Sequence, residues 1–289
     1  MSYRISTDST CDLPLQFYRE HDIAVIGLSF LLDGREYREG SDLTLSTKEF
    51  YDQLRAGKQS STMQVNTYEF TEFIEPFLAA GEDVLHIAFS SGLSGTFESC
   101  RRGAQELREK YPDRTLTVVD SLAASMGEGL LVYYAEENRK AGMTLEENAA
   151  WLENNKLHLC HWFTVNDLMH LHRGGRVSKT SAIVGSLLGI KPVLHVDNDG
   201  HLILVSKARG RGASIDSLVN RLKETANQDI ADQMVFISHG DCLEEARLLE
   251  EKLRSAVGIK RFMISDIGAV IGSHSGPGTL ALFFMGKQR

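Results

Sequence analysis

The sequence predicts an α/β protein of two packed domains with mostly parallel sheets. Three observations carry that prediction. Short β-rich apolar runs alternate with segments of helical periodicity along nearly all of the 289 residues. That length corresponds to about two domains of roughly 150 residues each. The composition, 42% hydrophobic and 24% charged with five prolines and no polar low-complexity tract, is that of a folded globular chain.

Taken in order, the expected strands are Tyr3 to Thr7, Ile23 to Phe30, Val84 to Phe89 and Leu116 to Val119. They continue with Leu157 to Val165, Pro192 to Val196, His201 to Val205, Met234 to Ser238, Arg261 to Ser265 and Ala281 to Met285. Between them, Ser46-Thr47-Lys48-Glu49 is a capping box that starts a helix. Helical periodicity also runs over Thr67 to Ala79, Ser94 to Lys110, Ser125 to Lys140, Thr144 to Asn155, Ile215 to Asn227 and Leu243 to Ala256. Val193 to Val205 differs: two strands flank Asp197-Asn198-Asp199-Gly200, which predicts a β-hairpin. The domain boundary is expected near Asn154 to Leu157. This gives an N-terminal domain over 1–156, a C-terminal domain over 157–278, and a last strand within 279–289 that rejoins the first domain.

Charge and apolar runs exclude several function classes. The 31 basic and 39 acidic residues leave a net charge of −8, so bulk charge supplies no nucleic-acid footprint. The segment Arg173 to Arg211 stands out, with seven basic residues against two acids. It is either a site for an anionic partner or a solvated face. The longest apolar candidate, Ala182 to Ile190, is interrupted by Gly185, Ser186 and Gly189, far short of the roughly 18 residues that span a bilayer. Met1 to Thr10 lacks the basic and apolar regions of a signal peptide, so a cytoplasmic protein is expected. Cys11, Cys100, Cys160 and Cys242 form no C-x-x-C pair and are expected to be free thiols; Cys11 follows a strand and could be exposed, without a histidine beside it to mark a nucleophile.

Ligands of open α/β sheets sit beyond the carboxyl ends of the strands. Three hydroxyl-rich segments have that placement: Asp8 to Asp12, Ser90 to Thr96, and Asp120 to Ser125. A fourth, Ser60-Ser61-Thr62, precedes the helix from Thr67. Ser94 is expected at a helix start, where backbone N–H groups and the helix dipole would hold a carboxylate or phosphate. Ser94 and Thr62 are equally the residue types that cap helices. Gly92-Leu93-Ser94-Gly95-Thr96 fails the G-x-S-x-G pattern of a hydrolase elbow. Gly276 to Ala281 fits G-x-G-x-x-A, but too near the chain end for a dinucleotide unit, and no Walker loop is present. His158 with His161, and His170 with His172, share no ligating face, so no metal is expected. Arg173-Gly174-Gly175-Arg176 sets two guanidinium groups around a turn before a helix expected from Ser178, which is anion-binding chemistry. Gly268 to Gly278 reads as a long loop whose His274 is either a surface histidine or a proton-handling group.

In this order, the segments resemble the DegV family of bacterial fatty-acid-binding proteins. The matching pieces are Asp8 to Pro14, Asp33 to Gly40, Ser61 to Gln64, Ser90 to Thr96 and Asp120-Ser121. The second half adds Asp167-Leu168 with Arg173 to Arg176, Ile190 to Pro192, His239 to Asp241, and Ile271 to Gly278. One position departs: Gln64 is followed by Val65 where the family usually has proline. The resemblance implies a ligand tunnel between the two domains, filled by a long-chain fatty acid whose carboxylate is bonded by Thr62 and Ser94. It implies a lipid-binding subunit, not an enzyme, that presents the acid to a separate fatty acid kinase subunit for acyl phosphate formation. No cofactor, nucleic acid or integral membrane segment is expected. Arg173 and His274 are expected near the head group, and Lys207, Arg209 and Arg211 on the kinase-facing surface. A passive lipid carrier, and a hydrolase or transferase using Ser94, are the competing readings.

Overall fold

The first strand, β1 (Arg4–Asp8), is buried at every residue after Arg4, as a strand covered on both faces must be. In the computed structural model, which describes residues 3–40, 45–178 and 189–289, it lies inside a parallel sheet. A 3-10 turn (Ser9–Cys11) and helix α1 (Leu15–Glu20) follow, then β2 (Ala24–Ile26), β3 (Ser29–Leu32) and β4 (Arg35–Arg38). Helix α2 (Thr47–Arg55), strand β5 (Ser60–Met63), helix α3 (Thr67–Ala79) and strand β6 (Val84–Ala88) come next. The first half ends with α4 (Thr96–Lys110), β7 (Leu116–Asp120), α5 (Met126–Lys140) and α6 (Leu145–Asn155). A 3-10 turn (Lys156–His158) leads into β8 (Leu159–Thr164), α7 (Met169–Arg173), β9 (Ile190–Val196), β10 (Leu202–Arg209) and α8 (Arg211–Thr225). The chain closes with β11 (Met234–His239), α9 (Leu243–Val257), β12 (Arg261–Asp266), α10 (Ala269–Ser275) and β13 (Leu280–Met285).

Three sheets form among the described residues. The first, in the order β2-β1-β6-β7, is parallel throughout. The second, β10-β9-β8-β13-β11-β12, has one parallel pairing, β11 with β12, and is otherwise antiparallel. The third, β4-β3-β5, is antiparallel. The α/β class holds; the four-stranded sheet is the one that is parallel throughout, the six-stranded sheet keeps a single parallel pair and the three-stranded sheet none. The expected hairpin is the β9–β10 pair, with Asp197 to Gly200 at its turn. The run 23–30 is two strands in two sheets. At Gly27 the Glu39 carbonyl approaches so closely that a Cβ would overlap it, and the chain leaves one sheet for the other there. Capping boxes close the amino ends of α2, α3 and α6, at Ser46/Glu49, Asn66/Glu69 and Thr144/Glu147.

Helix α5 packs against β1 and β6 on one side and β8, β11 and β13 on the other. It is therefore the layer shared by the two large sheets, and even its Glu128 is fully buried. The Thr7 and Thr10 hydroxyls donate to that carboxyl at 3.0 and 2.9 Å. Burial, reinforced by Asp8, pushes Glu128 well above the usual carboxyl range.

Two expectations change. The last strand does not rejoin the N-terminal half: β13 sits inside the six-stranded sheet, between β8 and β11, and all six of its residues are buried. The element that returns to the N-terminal half is α10, which packs on β3, β5 and α2. The segment 268–278 is accordingly a short helix flanked by glycines rather than a loop. Its Gly/Ser-rich composition disfavours helix, and tertiary packing overrides that weak preference. The helix expected from Ser178 falls on residues 179–188, outside the described ones.

Candidate functional site

The segments that follow β6 and β7 meet the six-stranded sheet around a cavity of about 290 Å³, just below the roughly 300–1,000 Å³ usual for small-molecule sites. Its walls are mostly apolar, with Phe89 and Leu93 from one side, Phe163, Ala281 and Phe283 from the six-stranded sheet, and Ile271 from α10. Polar groups gather where Thr62, Gln64, Ser94, Arg176 and His274 meet the lining.

Each of these polar residues has an identifiable support. Thr62 is on β5, the edge strand beside β3, paired with Phe30; it caps no helix, since Asn66 caps α3. Its hydroxyl lies 2.8 Å from His274 Nε2. Ser94 precedes α4, whose N-cap is Gly95, and its Oγ accepts from the Thr96 N–H at 3.2 Å. Ser94 thus helps to satisfy a helix start and also lines the cavity. Gln64, beside the departure at Val65, packs its amide against Gly95.

Arg176 supplies the cation. Its Nε and Nη2 donate to the Leu93 carbonyl at 3.1 and 2.8 Å, and its Nη1 donates to Gly174, so it ties the loop before α4 to the turn after α7. Burial lowers its affinity for the proton, yet an arginine remains charged at neutral pH. Burial, and secondly the charge of Arg176, push His274 down to about 4. His274 is therefore a neutral hydrogen-bonding group at neutral pH, and the positive charge beside the cavity is that of Arg176.

The expected Arg173 is not in this lining. It is exposed, with Nη2 3.1 Å from His170 Nδ1, and faces an adjoining recess of about 310 Å³. That recess also contains Lys58, Ser60 and Ser61, and it shares Thr62, Arg176 and His274 with the cavity. Lys207 and Arg209 are exposed on β10, an edge strand, where outward charge also blocks strand addition. Arg211 departs from expectation. Its side chain is only 17% exposed and is ion-paired with Glu245, because the first turn of α8 folds against α9.

The Asp8 to Asp12 segment is scaffold for the site. Asp8 accepts from the N–H groups of Thr10 and Phe89 at 3.0 and 2.9 Å, while Ser9 and Asp12 line a separate recess. Cys11, expected to have room for exposure, is fully buried against Tyr18, and all four cysteines are free. Asp120 accepts from the Ser91 N–H at 3.1 Å and so holds the loop that carries Ser94. His161, set aside in sequence as a metal ligand, lines the cavity. The strand alternation that places it on the face of Phe163 and Val165 is the signal that could have found it.

The fold and the cavity together define an α/β protein with a mostly apolar cavity between its sheets, lined in part by hydroxyls, histidines and an arginine. The family described as "Uncharacterised protein, DegV family" matches residues 2–287. A DegV domain-containing protein of Clostridium perfringens is 46% identical over 286 residues, 99% of this chain and 98% of the relative. The chain belongs to the DegV family. Its fold is also that of solved relatives. A DegV lipid-binding protein from Thermotoga maritima matches with TM-score 0.86 at 30% identity, over 100% of both chains. A DegV family protein from Thermus thermophilus, described by its fatty acid binding, matches with TM-score 0.86 at 30% identity, over 98% of this chain and 99% of its own. DegV of Bacillus subtilis, described as a fatty acid binding protein, matches with TM-score 0.84 at 31% identity, over 99% and 100%. Among the described residues, no helix is long and apolar enough to cross a membrane.

Proposed function

We propose that this chain binds one long-chain fatty acid and presents it, in the cytoplasm, to a separate fatty acid kinase subunit that forms the acyl phosphate. The acyl chain occupies the apolar cavity, and its carboxylate accepts from Thr62 and Ser94 with Arg176 close by. The single observation that carries this reading is the make-up of the cavity: mostly apolar walls, with Thr62, Ser94 and the half-buried Arg176 brought together through His274 and the Leu93 carbonyl. Hydrogen bonds to a charged group contribute roughly 1.5 to 3 kcal/mol each, enough to orient an otherwise slippery ligand. The solved relatives described as fatty-acid-binding proteins support the choice of ligand.

The kinase half of the proposal rests on the adjoining recess. Arg173 faces it, as does Lys58, itself ion-paired with Asp33, and it meets the cavity at Thr62, Arg176 and His274. A phosphoryl group arriving there would find cations beside the acceptor carboxylate, and phosphoryl transfer is promoted mainly by such positioning and charge stabilisation. Lys207 and Arg209 are the exposed cations left for a kinase surface, Arg211 being paired. The chain itself then needs no cofactor and performs no chemistry. A Ser94 nucleophile is disfavoured, because its Oγ pairs with Thr96 and the nearby His274 bonds Thr62 instead.

Extraction and mass spectrometry of the ligand that co-purifies with the protein test the binding half. A non-covalently held fatty acid is expected, and an acyl adduct on Ser94 would restore the enzyme reading. A coupled assay with a cognate kinase tests the other half: Arg173→Ala should depress acyl phosphate formation far more than fatty-acid affinity. Normal turnover in that variant would leave a passive carrier.

A further inference from the structure

A further polar side chain lines the cavity, and nothing in the carboxylate reading uses it. His161, on β8, is 1% exposed and lines the cavity beside Phe163 and Phe283. The Phe283 ring meets it edge-on, with centroids 5.6 Å apart. Gly127 of α5 makes room for it, since a Cβ there would overlap the Cδ2–Nε2 edge of the ring.

Neither ring nitrogen of His161 has a hydrogen-bond partner. The Leu159 carbonyl, two residues back, favours the protonated ring without reaching hydrogen-bond geometry. The other buried histidines differ. His86 pairs with Ser6 at 3.0 Å, His195 with the His161 carbonyl at 2.8 Å, and His239 accepts from Cys242 at 3.4 Å. Burial holds the His161 ring well below its ordinary pKa, with the charge of Arg289 and the ring of His195 acting in the same direction. It is a neutral imidazole, with one N–H to donate and one lone pair to accept. His274, by contrast, feels Arg176, so the two histidines sit in different electrostatic surroundings. No hydrogen bond joins them.

A saturated methylene chain would leave both nitrogens unpaired in an apolar wall, at a cost of roughly 1 to 3 kcal/mol for each buried orphan. A double bond offers only a weak π contact to the N–H. A hydroxyl both donates and accepts, so it can satisfy either nitrogen in either tautomer. We propose that the acyl chain accepted here carries a hydroxyl group partway along its length, and that His161 reads it. This rests on the reading of the cavity as a fatty-acid site and narrows its ligand to hydroxylated acids.

The experiment titrates the full chain with a saturated straight-chain acid and with mono-hydroxylated acids of the same length, the hydroxyl stepped along the chain. One hydroxyl position should bind at least as tightly as the plain acid. The affinity ratio of that acid to the plain one should fall about tenfold in His161→Phe and recover in His161→Gln, in line with one hydrogen bond. In the wild-type protein, ¹⁵N resonances of the His161 ring should shift with that acid and not with the plain one, a readout that stands even if His161→Phe fails to fold. Weaker binding at every hydroxyl position, an unchanged ratio in His161→Phe, or unmoved ring resonances would each overturn the inference while leaving the fatty-acid site intact. Failure of all the acids, plain and hydroxylated, to bind would instead overturn the site reading on which it rests.

Discussion

Among the helices that begin beside the cavity, α4 and α10 have amino ends satisfied in opposite ways. At α10, the protein supplies its own carboxylates: Asp12 accepts from the Gly268 N–H and Glu39 from the Val270 N–H, both at 2.9 Å. At α4, the contact comes from the small hydroxyl of Ser94, a residue of the cavity lining. Both ends present backbone N–H groups to an oxygen acceptor, and at α10 burial outweighs the dipole's preference for an anion. The filled end shows what a carboxylate does at a helix start in this molecule. The end beside the cavity is where a ligand's carboxylate is proposed to do likewise.

The largest expected effect breaks the proposed ligand end. Thr62→Ala combined with Ser94→Ala removes two donors to a charged group, and fatty-acid affinity should drop more than about a hundredfold. A direct binding titration on the folded variant checks this, and unchanged affinity would refute the carboxylate placement.

The filled end should respond to pH instead. Burial is the main reason that Glu39 is raised to about 7 from 4.5, and Asp12, close by, is raised well above its ordinary value, chiefly by burial and then by the Glu39 charge. A raised folded pKa means that the native state favours the protonated acid. That stabilisation is complete below about 4.5 and is lost as pH rises through about 7. Glu39→Gln keeps an acceptor for Val270 but cannot ionise. It should match the wild type near pH 4 and exceed it by roughly 2 to 3 kcal/mol at pH 8, measured by denaturant unfolding. His274 acts with the opposite sign: lowered to about 4, it contributes stability above about 6.5 that is lost as pH falls toward 4.

Smaller effects separate the two ends further. Ser94→Ala alone should weaken binding about tenfold, since one donor to a charged group is lost while the helix start keeps its other contacts. Charge reversal at Lys207 and Arg209 should leave fatty-acid affinity alone. It should weaken kinase association in a salt-dependent way, because exposed charges are screened over about 10 Å at 0.1 M salt. Kinase binding that ignores both the reversal and the salt would make these residues protection for the edge strand and nothing more.

What could be read along the chain was what depends on neighbours in sequence. The alternation of strands and helices, the Ser46 capping box, the β9–β10 hairpin and the hydroxyl loop at Ser94 all follow from local periodicity and turn chemistry, and all are present. The motifs that matched a family were legible for the same reason: each is a short run of fixed residue types. What needed three dimensions was which runs meet. Strand β13 joins the six-stranded sheet because its all-apolar residues are buried on both faces between β8 and β11, and nothing within 280–285 names those partners. Helix α10 forms from helix-poor residues because Asp12 and Glu39, more than two hundred residues earlier, accept from its first N–H groups. Arg176 lines the cavity and Arg173 the recess beside it, although both belong to one Arg-Gly-Gly-Arg turn, because the Leu93 carbonyl captures the first of these guanidinium groups. Charge and type are properties of a residue, and sequence states them; burial, pairing and access belong to contacts between distant segments, and those are set when the sheets pack.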